Sequence, residues 1–182
     1  KLADGTGFIH SSNGPHSLFV DTIRSCRSLA VAHQLGHVLM GEQDEKISLL
    51  QRLVEHALNT ARYSIYYGQG RDTYDVRGRT AHEAVFNPAS GVYRCPNSQQ
   101  GYSPFSTWTR GLAWALCGYP EQLEFLRSCT RQSAADFKPA GGVAEYSRVL
   151  TNAATATADF YLENSCADGV PSVQRLAVHM AA

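Results

Sequence analysis

The stretch Ser98-Gln-Gln-Gly-Tyr-Ser-Pro-Phe-Ser-Thr-Trp-Thr-Arg-Gly-Leu-Ala-Trp114 passes from a polar loop, broken by Gly101 and Pro104, directly into an apolar helical pattern. Ser106 or Thr107 stands where a side-chain oxygen accepts from the unpaired N–H groups of a first helical turn. That puts Trp108 and Arg110 at the mouth of the helix, beside a loop rich in amides and hydroxyls. Trp114 points to another side at helical pitch. An aromatic plane, a guanidinium fork and the Gln100 amide together suit a flat, anionic, hydroxyl-rich ligand.

Outward from this stretch the chain reads as helices. Residues Lys1 to Ser17 are loop. Leu18 to Met40 carries apolar residues at Phe19, Ile23, Cys26, Leu29, Ala30 and Leu35, which predicts a helix that Gly36 weakens without ending, with a stop at Gly41. The acidic run Glu42 to Glu45 suits a second helix N-terminus. Its stripe is Ile47, Leu50, Val54, Ala57, Leu58, Ala61 and Ile65, and the short connection makes the pair antiparallel. Ala81 to Phe86 and Val92–Tyr93 flank Asn87-Pro-Ala-Ser-Gly91 as a hairpin. The helix after Thr107 runs to about Cys117, with Gly118 and Pro120 placed to kink or split it before Gln122 to Thr130. Gly141 to Glu163 forms another helix. Asp168 to Pro171 is a turn, and Ser172 to Ala182 reads weakly as a last helix. The pattern is mainly α, built of antiparallel helix pairs with loops between them.

At 182 residues the chain is long enough for one domain with a core. Its 43% apolar and 18% charged residues argue against disorder, and a net charge of zero, without basic patch or tail, gives no sign of a nucleic-acid or acidic-membrane partner. No apolar run approaches the ~20 residues that span a bilayer. The five cysteines are odd in number and irregularly spaced, and read as thiols; Cys26 and Cys117 lie in helical patterns as small core residues.

The run Tyr93 to Trp114, together with Phe19-Val-Asp-Thr22, Asp159-Phe-Tyr-Leu162 and Asp168-Gly-Val-Pro171, resembles glycoside hydrolase family 88, the unsaturated glucuronyl hydrolases. The resemblance implies an (α/α)₆ barrel, and cleavage of the 4,5-unsaturated uronic acid that polysaccharide lyases leave at the non-reducing end of oligosaccharides. It implies Asp21 as the catalytic residue, with His82, Gln100, Trp108, Arg110 and Trp114 binding the sugar, and no cofactor. The family barrel is longer than this chain, and one of its pocket aspartates lies upstream of anything present. Where the family continues Asp-Gly-Val-Pro with Tyr-Trp-Asp, this chain has Ser172-Val-Gln-Arg175. Residues 1–182 therefore read as one partial domain, about half a barrel, with 172–182 as an aberrant tail.

The implied substrate contains an enol ether, a C4=C5 double bond conjugated to the ring oxygen. Such a group is hydrated by acid. One carboxyl group protonates C4 and then activates water for C5, unlike the carboxylate pair of ordinary glycosidases. Asp21 follows Leu18-Phe-Val20 and opens an apolar helix, a setting that raises its pKa by desolvation, although an Asp there also makes a good N-cap. Arg110 has two candidate partners, a substrate carboxylate or Asp21 itself. His33-Gln-Leu-Gly-His37 has i, i+4 metal-ligand spacing, but Gln34 stands where a zincin needs Glu and no third ligand follows, so no metal is expected. Two other readings share these residues: a family 105-like unsaturated rhamnogalacturonyl hydrolase, and a catalytically silent sugar-binding fragment.

Overall fold

The computed structural model of the chain describes residues 1–170 and 174–176. Four long helices dominate it: α1 (Thr22–Gln34), α2 (Leu49–Tyr63), α3 (Thr109–Ser128) and α4 (Val143–Asn164). Side-chain contacts give their directions. Along α1 and α3, Ile23 meets Gly118, Arg24 and Arg27 bind Glu121, and Gln34 reaches Thr130, so the two helices run the same way. Ser48, at the start of α2, donates to Asp136, which lies close to where α1 and α3 end. α2 therefore begins where α1 stops and runs back, as the helical pattern predicts. Beyond α2, Arg77 reaches Asn152 and Asp159, so α2 and α4 also share a direction.

The core lies between these helices. Ile23, Cys26 and Ala30 meet Leu53, Val54, Ala57, Ala115, Tyr119, Tyr146, Leu150 and Ala153, all buried. On α4 the residues Tyr146, Leu150, Ala153, Thr157 and Phe160 recur at spacings of three and four and form its buried stripe. Each fully buried Leu or Ile contributes about 1.5–3 kcal/mol.

Among the described residues three short sheets fill the connections. The first matters for the site. It orders β1 (Ser17–Phe19), β4 (Glu83–Phe86) and β5 (Tyr93–Asn97), all antiparallel. β4–β5 is the expected hairpin. Pro96 falls on β5, an edge strand, where a missing N–H is tolerated. The others pair β2 (Leu39–Met40) with β3 (Lys46–Ile47), and β6 (Ser106–Trp108) with β7 (Gln174–Leu176).

Several boundaries differ from the sequence expectation, each for a local reason. The first helix covers Thr22–Gln34 rather than 18–40, because Leu18 pairs with Ala84 as strand. Gly36 ends it: its φ of +84° places it in the left-handed region. Gly36 N–H then bonds His33 C=O and His37 N–H bonds Ala32 C=O, a Schellman closure. Residues 42–44 form a 3₁₀ turn and 46–47 a strand, so α2 starts only at Leu49, with the Ser48 side chain accepting from Gln51 N–H. Pro120 and Gly118 do not split α3. Gly118 is instead where α1 and α3 touch, since a Cβ there would meet Ile23 Cγ2 at 2.8 Å. Trp108 precedes α3 as the last residue of β6 and takes the N-cap position, where its side chain makes no capping bond. Cys117 is exposed, whereas Cys26 and Cys129 are buried. A second 3₁₀ segment, Ala134–Ala140, was not expected. Of the span 172–182, expected as a last helix, residues 174–176 form a strand; the remainder lies outside the described residues, and nothing in the structure bears on the expectation that this tail is aberrant.

Candidate active site

Pairing of β1 with β4 brings two distant residues together. Phe19 faces Glu83 across the sheet, and Val20 N–H donates to His82 C=O at 3.0 Å, which carries the ladder one residue further. The next residue, Asp21, therefore meets the His82 side chain. Asp21 occupies the cap position of α1 with helical dihedrals (φ −54°, ψ −35°), and its side chain makes no capping bond. Its Oδ1 lies 3.8 Å from His82 Nε2. Both atoms are buried, and neither has a hydrogen-bond partner among the described residues.

The His82 ring is held on three sides. Its Nδ1 accepts from Gln99 N–H at 3.2 Å, so the proton of the neutral imidazole resides on Nε2 and points at Asp21. Phe19 and Trp108 flank the ring, with centroids at 4.7 and 4.4 Å. Burial lowers the His82 pKa, against the opposing pull of Asp21 and Glu83. Burial raises that of Asp21, opposed by His82, by its own backbone N–H and by Arg110. The result is a neutral imidazole N–H facing a carboxyl group that holds its proton more tightly than an exposed aspartate. Among the described residues the other fully buried histidine, His56, differs. It accepts from Ile9 N–H on Nδ1 and its Nε2 meets Thr60 Oγ1, so both ring nitrogens are engaged in structure. Burial depresses its pKa to about 3.

Trp108 joins this pair to the binding loop. It is buried, and the guanidinium of the exposed Arg110 lies 4.4 Å over its ring. Arg110 Nη2 donates to Gln100 Oε1. Gln100, Trp108, Thr109 and Arg110 line an open hollow of about 340 Å³. Arg110 has no ion-pair partner among the described residues, Asp21 included, so its charge faces this hollow. Trp114 is not part of it. It is half-buried, 5.9 Å from the Arg24 guanidinium, and lines a separate depression with Ser25 and Ser28. Those α1 residues stand three, four and seven positions after Asp21, so this depression runs down the Asp21 face of the helix.

Two residues beside the site escaped the sequence reading, Glu83 and Gln99. Glu83 is fully buried and has no cationic partner among the described residues. It accepts from Asn97 Nδ2 at 2.7 Å, Gln99 Nε2 at 2.9 Å and Asn13 Nδ2 at 3.4 Å, and from the Ser17 hydroxyl. A lone Glu ahead of Ala-Val-Phe gives no sequence signal for such a role. Among the described residues no group of three or more His, Cys, Asp or Glu gathers at metal-binding distance. His37 lies beyond the left-handed Gly36, and His33 Nε2 contacts the Arg131 carbonyl, so the two imidazoles do not share a helix face.

Known proteins resemble the chain in sequence and in fold. An unsaturated glucuronyl hydrolase from Formosa agariphila is 29% identical over 120 residues, which cover 65% of this chain and 23% of that protein. A solved unsaturated glucuronyl hydrolase variant with the oligosaccharide dGlcA-Glc-Rha-Glc superposes with a TM-score of 0.62 at 19% identity, over 95% of this chain and 38% of that one. The enzyme of Bacillus sp. GL1, described as responsible for the degradation of glycosaminoglycan, gives a TM-score of 0.58 at 19% identity, over 90% of this chain and 34% of that one. No family profile matches the chain. The chain thus resembles unsaturated glucuronyl hydrolases, shares their helical fold, and spans less than two fifths of the length of these relatives.

Proposed function

We propose that this chain is the portion of an unsaturated glucuronyl hydrolase that carries the acid and one wall of the uronate pocket, within an (α/α)₆ barrel of which it forms about half. The observation that supports this most is the Asp21–His82 pair at 3.8 Å, whose facing atoms are buried and whose imidazole packs on Trp108, a wall of the hollow with Gln100 and Arg110. In this reading protonated Asp21 delivers its proton to C4 of the enol ether. Positive charge develops at C5 and the ring oxygen. The resulting carboxylate then takes a proton from water as the water oxygen bonds to C5. The hemiketal opens, and the aglycone leaves from C1. His82 donates its Nε2–H to the carboxylate form and orients it. Arg110 binds the substrate carboxylate through its fork, Gln100 meets ring hydroxyls, and Trp108 backs the sugar. Trp114 contacts substrate only if the sugar reaches the α1 face.

The parent protein is the enzyme in this account, acting on the unsaturated ends of lyase-generated oligosaccharides. The resemblance to unsaturated glucuronyl hydrolases does not favour the rhamnogalacturonyl alternative. The test uses the full-length protein with an unsaturated glucuronyl disaccharide and its saturated counterpart. Loss of the double-bond absorbance with the first, and no cleavage of the second, is expected. Comparable cleavage of the saturated sugar would show ordinary glycosidic displacement and overturn the mechanism.

A further inference from the structure

Burying a carboxylate without a cation is costly unless its oxygens are fully hydrogen-bonded. Glu83 meets that condition with neutral donors only, and these come from the two segments that flank His82. Oε1 takes Ser17, on the strand that leads through Phe19 to Asp21, and Asn13 before it. Oε2 takes Asn97 and Gln99, on the segment whose Gln99 N–H reaches His82 Nδ1. Gln99 is thus held twice: its side chain on Glu83 and its backbone on the neighbouring histidine. Its own side chain is otherwise exposed, and it stands two residues past Asn97, where the β4–β5 ladder ends, so the Glu83 contact is what ties Gln99 itself to the sheet.

We propose that Glu83 is a positioning residue: it clamps the Asn97–Gln99 segment so that the Gln99 N–H occupies His82 Nδ1 and the Nε2 proton is directed at Asp21. The chain of action is Glu83 to Gln99, Gln99 to His82, His82 to the acid. Only an acceptor-only group suits this place, since all the amide donors converge on it. The inference rests on the reading of Asp21 as the acid, but its first readout does not.

The test is nitrogen-15 NMR of the His82 ring in the full-length protein. The wild type should show a protonated Nε2 and an unprotonated Nδ1. Glu83→Ala should turn this into a mixture of tautomers, and Gln99→Ala should shift it less in the same direction. Gln99→Ala alters an exposed side chain and keeps the result decisive if Glu83→Ala does not fold. In the full-length protein the same variants should lower kcat by roughly 10- to 100-fold. KM should stay within about twofold, because Gln100, Trp108 and Arg110 are untouched. A His82 that keeps its wild-type tautomer in every folded variant overturns the proposal, as does an unchanged kcat in a variant whose tautomer has shifted. Failure of the Asp21 assignment itself would appear separately, as full activity in Asp21→Asn.

Discussion

Asp21 Oδ1 and His82 Nε2 face each other at 3.8 Å, both buried, with no other partner for either among the described residues. A separation this long leaves the pair without a formed hydrogen bond, in an enclosure that disfavours charge on each. Structural histidines such as His56 are satisfied, whereas this pair is poised. Such unspent polar capacity is what a proton-transferring group needs before substrate arrives.

Stability should carry the mark of this arrangement. Burial raises Asp21 above its ordinary value of 3.8, so the folded state binds the proton more tightly than the unfolded one. The contribution of Asp21 to stability is therefore greatest below that value and falls as pH rises through the elevated folded pKa. Asp21→Asn should be at least as stable as wild type at pH 7, by less than about 1 kcal/mol since the side chain is partly solvated. The difference should close in acid. Thermal unfolding across pH measures this, and a clearly less stable Asn variant at neutral pH would contradict it.

The guanidinium over Trp108 should govern binding more than turnover. Arg110→Gln in the full-length protein should raise KM by roughly 10-fold or more, from loss of a charge-assisted bidentate contact worth about 1.5–3 kcal/mol. Steady-state kinetics with an unsaturated disaccharide would reveal it. A lowered kcat at unchanged KM would place Arg110 in the chemical step instead.

Much of the helical frame was legible from sequence, because α2 and α4 bury stripes at spacings of three and four within one continuous segment. The three-stranded sheet was half legible. The β4–β5 hairpin is local, but β1 hides in Leu18-Phe19-Val20, whose apolar run merges with the α1 pattern and whose partner Ala84 is sixty-six residues away by number. The site divides the same way. Gln100, Trp108 and Arg110 lie within one loop and helix start, so their proximity followed from spacing. The contact of Asp21 with His82 depends on the unforeseen β1–β4 pairing, and only the family resemblance joined them. Glu83 gave no signal, since a single Glu in a strand reads as solvent-facing.

Gly118 offers a test of the helix packing. A Cβ there would lie 2.8 Å from Ile23 Cγ2 and 3.1 Å from the Ile23 backbone carbon. Gly118→Ala gains about 1 kcal/mol of helix propensity. Forcing α1 and α3 apart should cost more, with a net loss of roughly 1–2 kcal/mol in denaturant unfolding. A stabilised variant would mean that the helices are less closely packed than the structure has them.

Ser48 connects two helix starts. Its hydroxyl oxygen accepts from Gln51 N–H and its proton goes to Asp136, the carboxylate that also closes a capping box with Ser133. Ser48→Ala should lose roughly 1–2 kcal/mol, above the loss of an isolated cap of about 1 kcal/mol. Chemical denaturation beside Ser133→Ala and the double variant gives the coupling, and strict additivity would argue against a shared network.

The central claim is that one carboxyl group, Asp21, supplies the proton. The most direct measurement is single-turnover loss of double-bond absorbance by the full-length protein and its Asp21→Asn variant, with substrate binding measured separately. The account predicts retained binding and a rate lower by roughly 10²–10⁴-fold, the range for removal of a general acid–base group. An Asp21→Asn variant that turns over at the wild-type rate would contradict it.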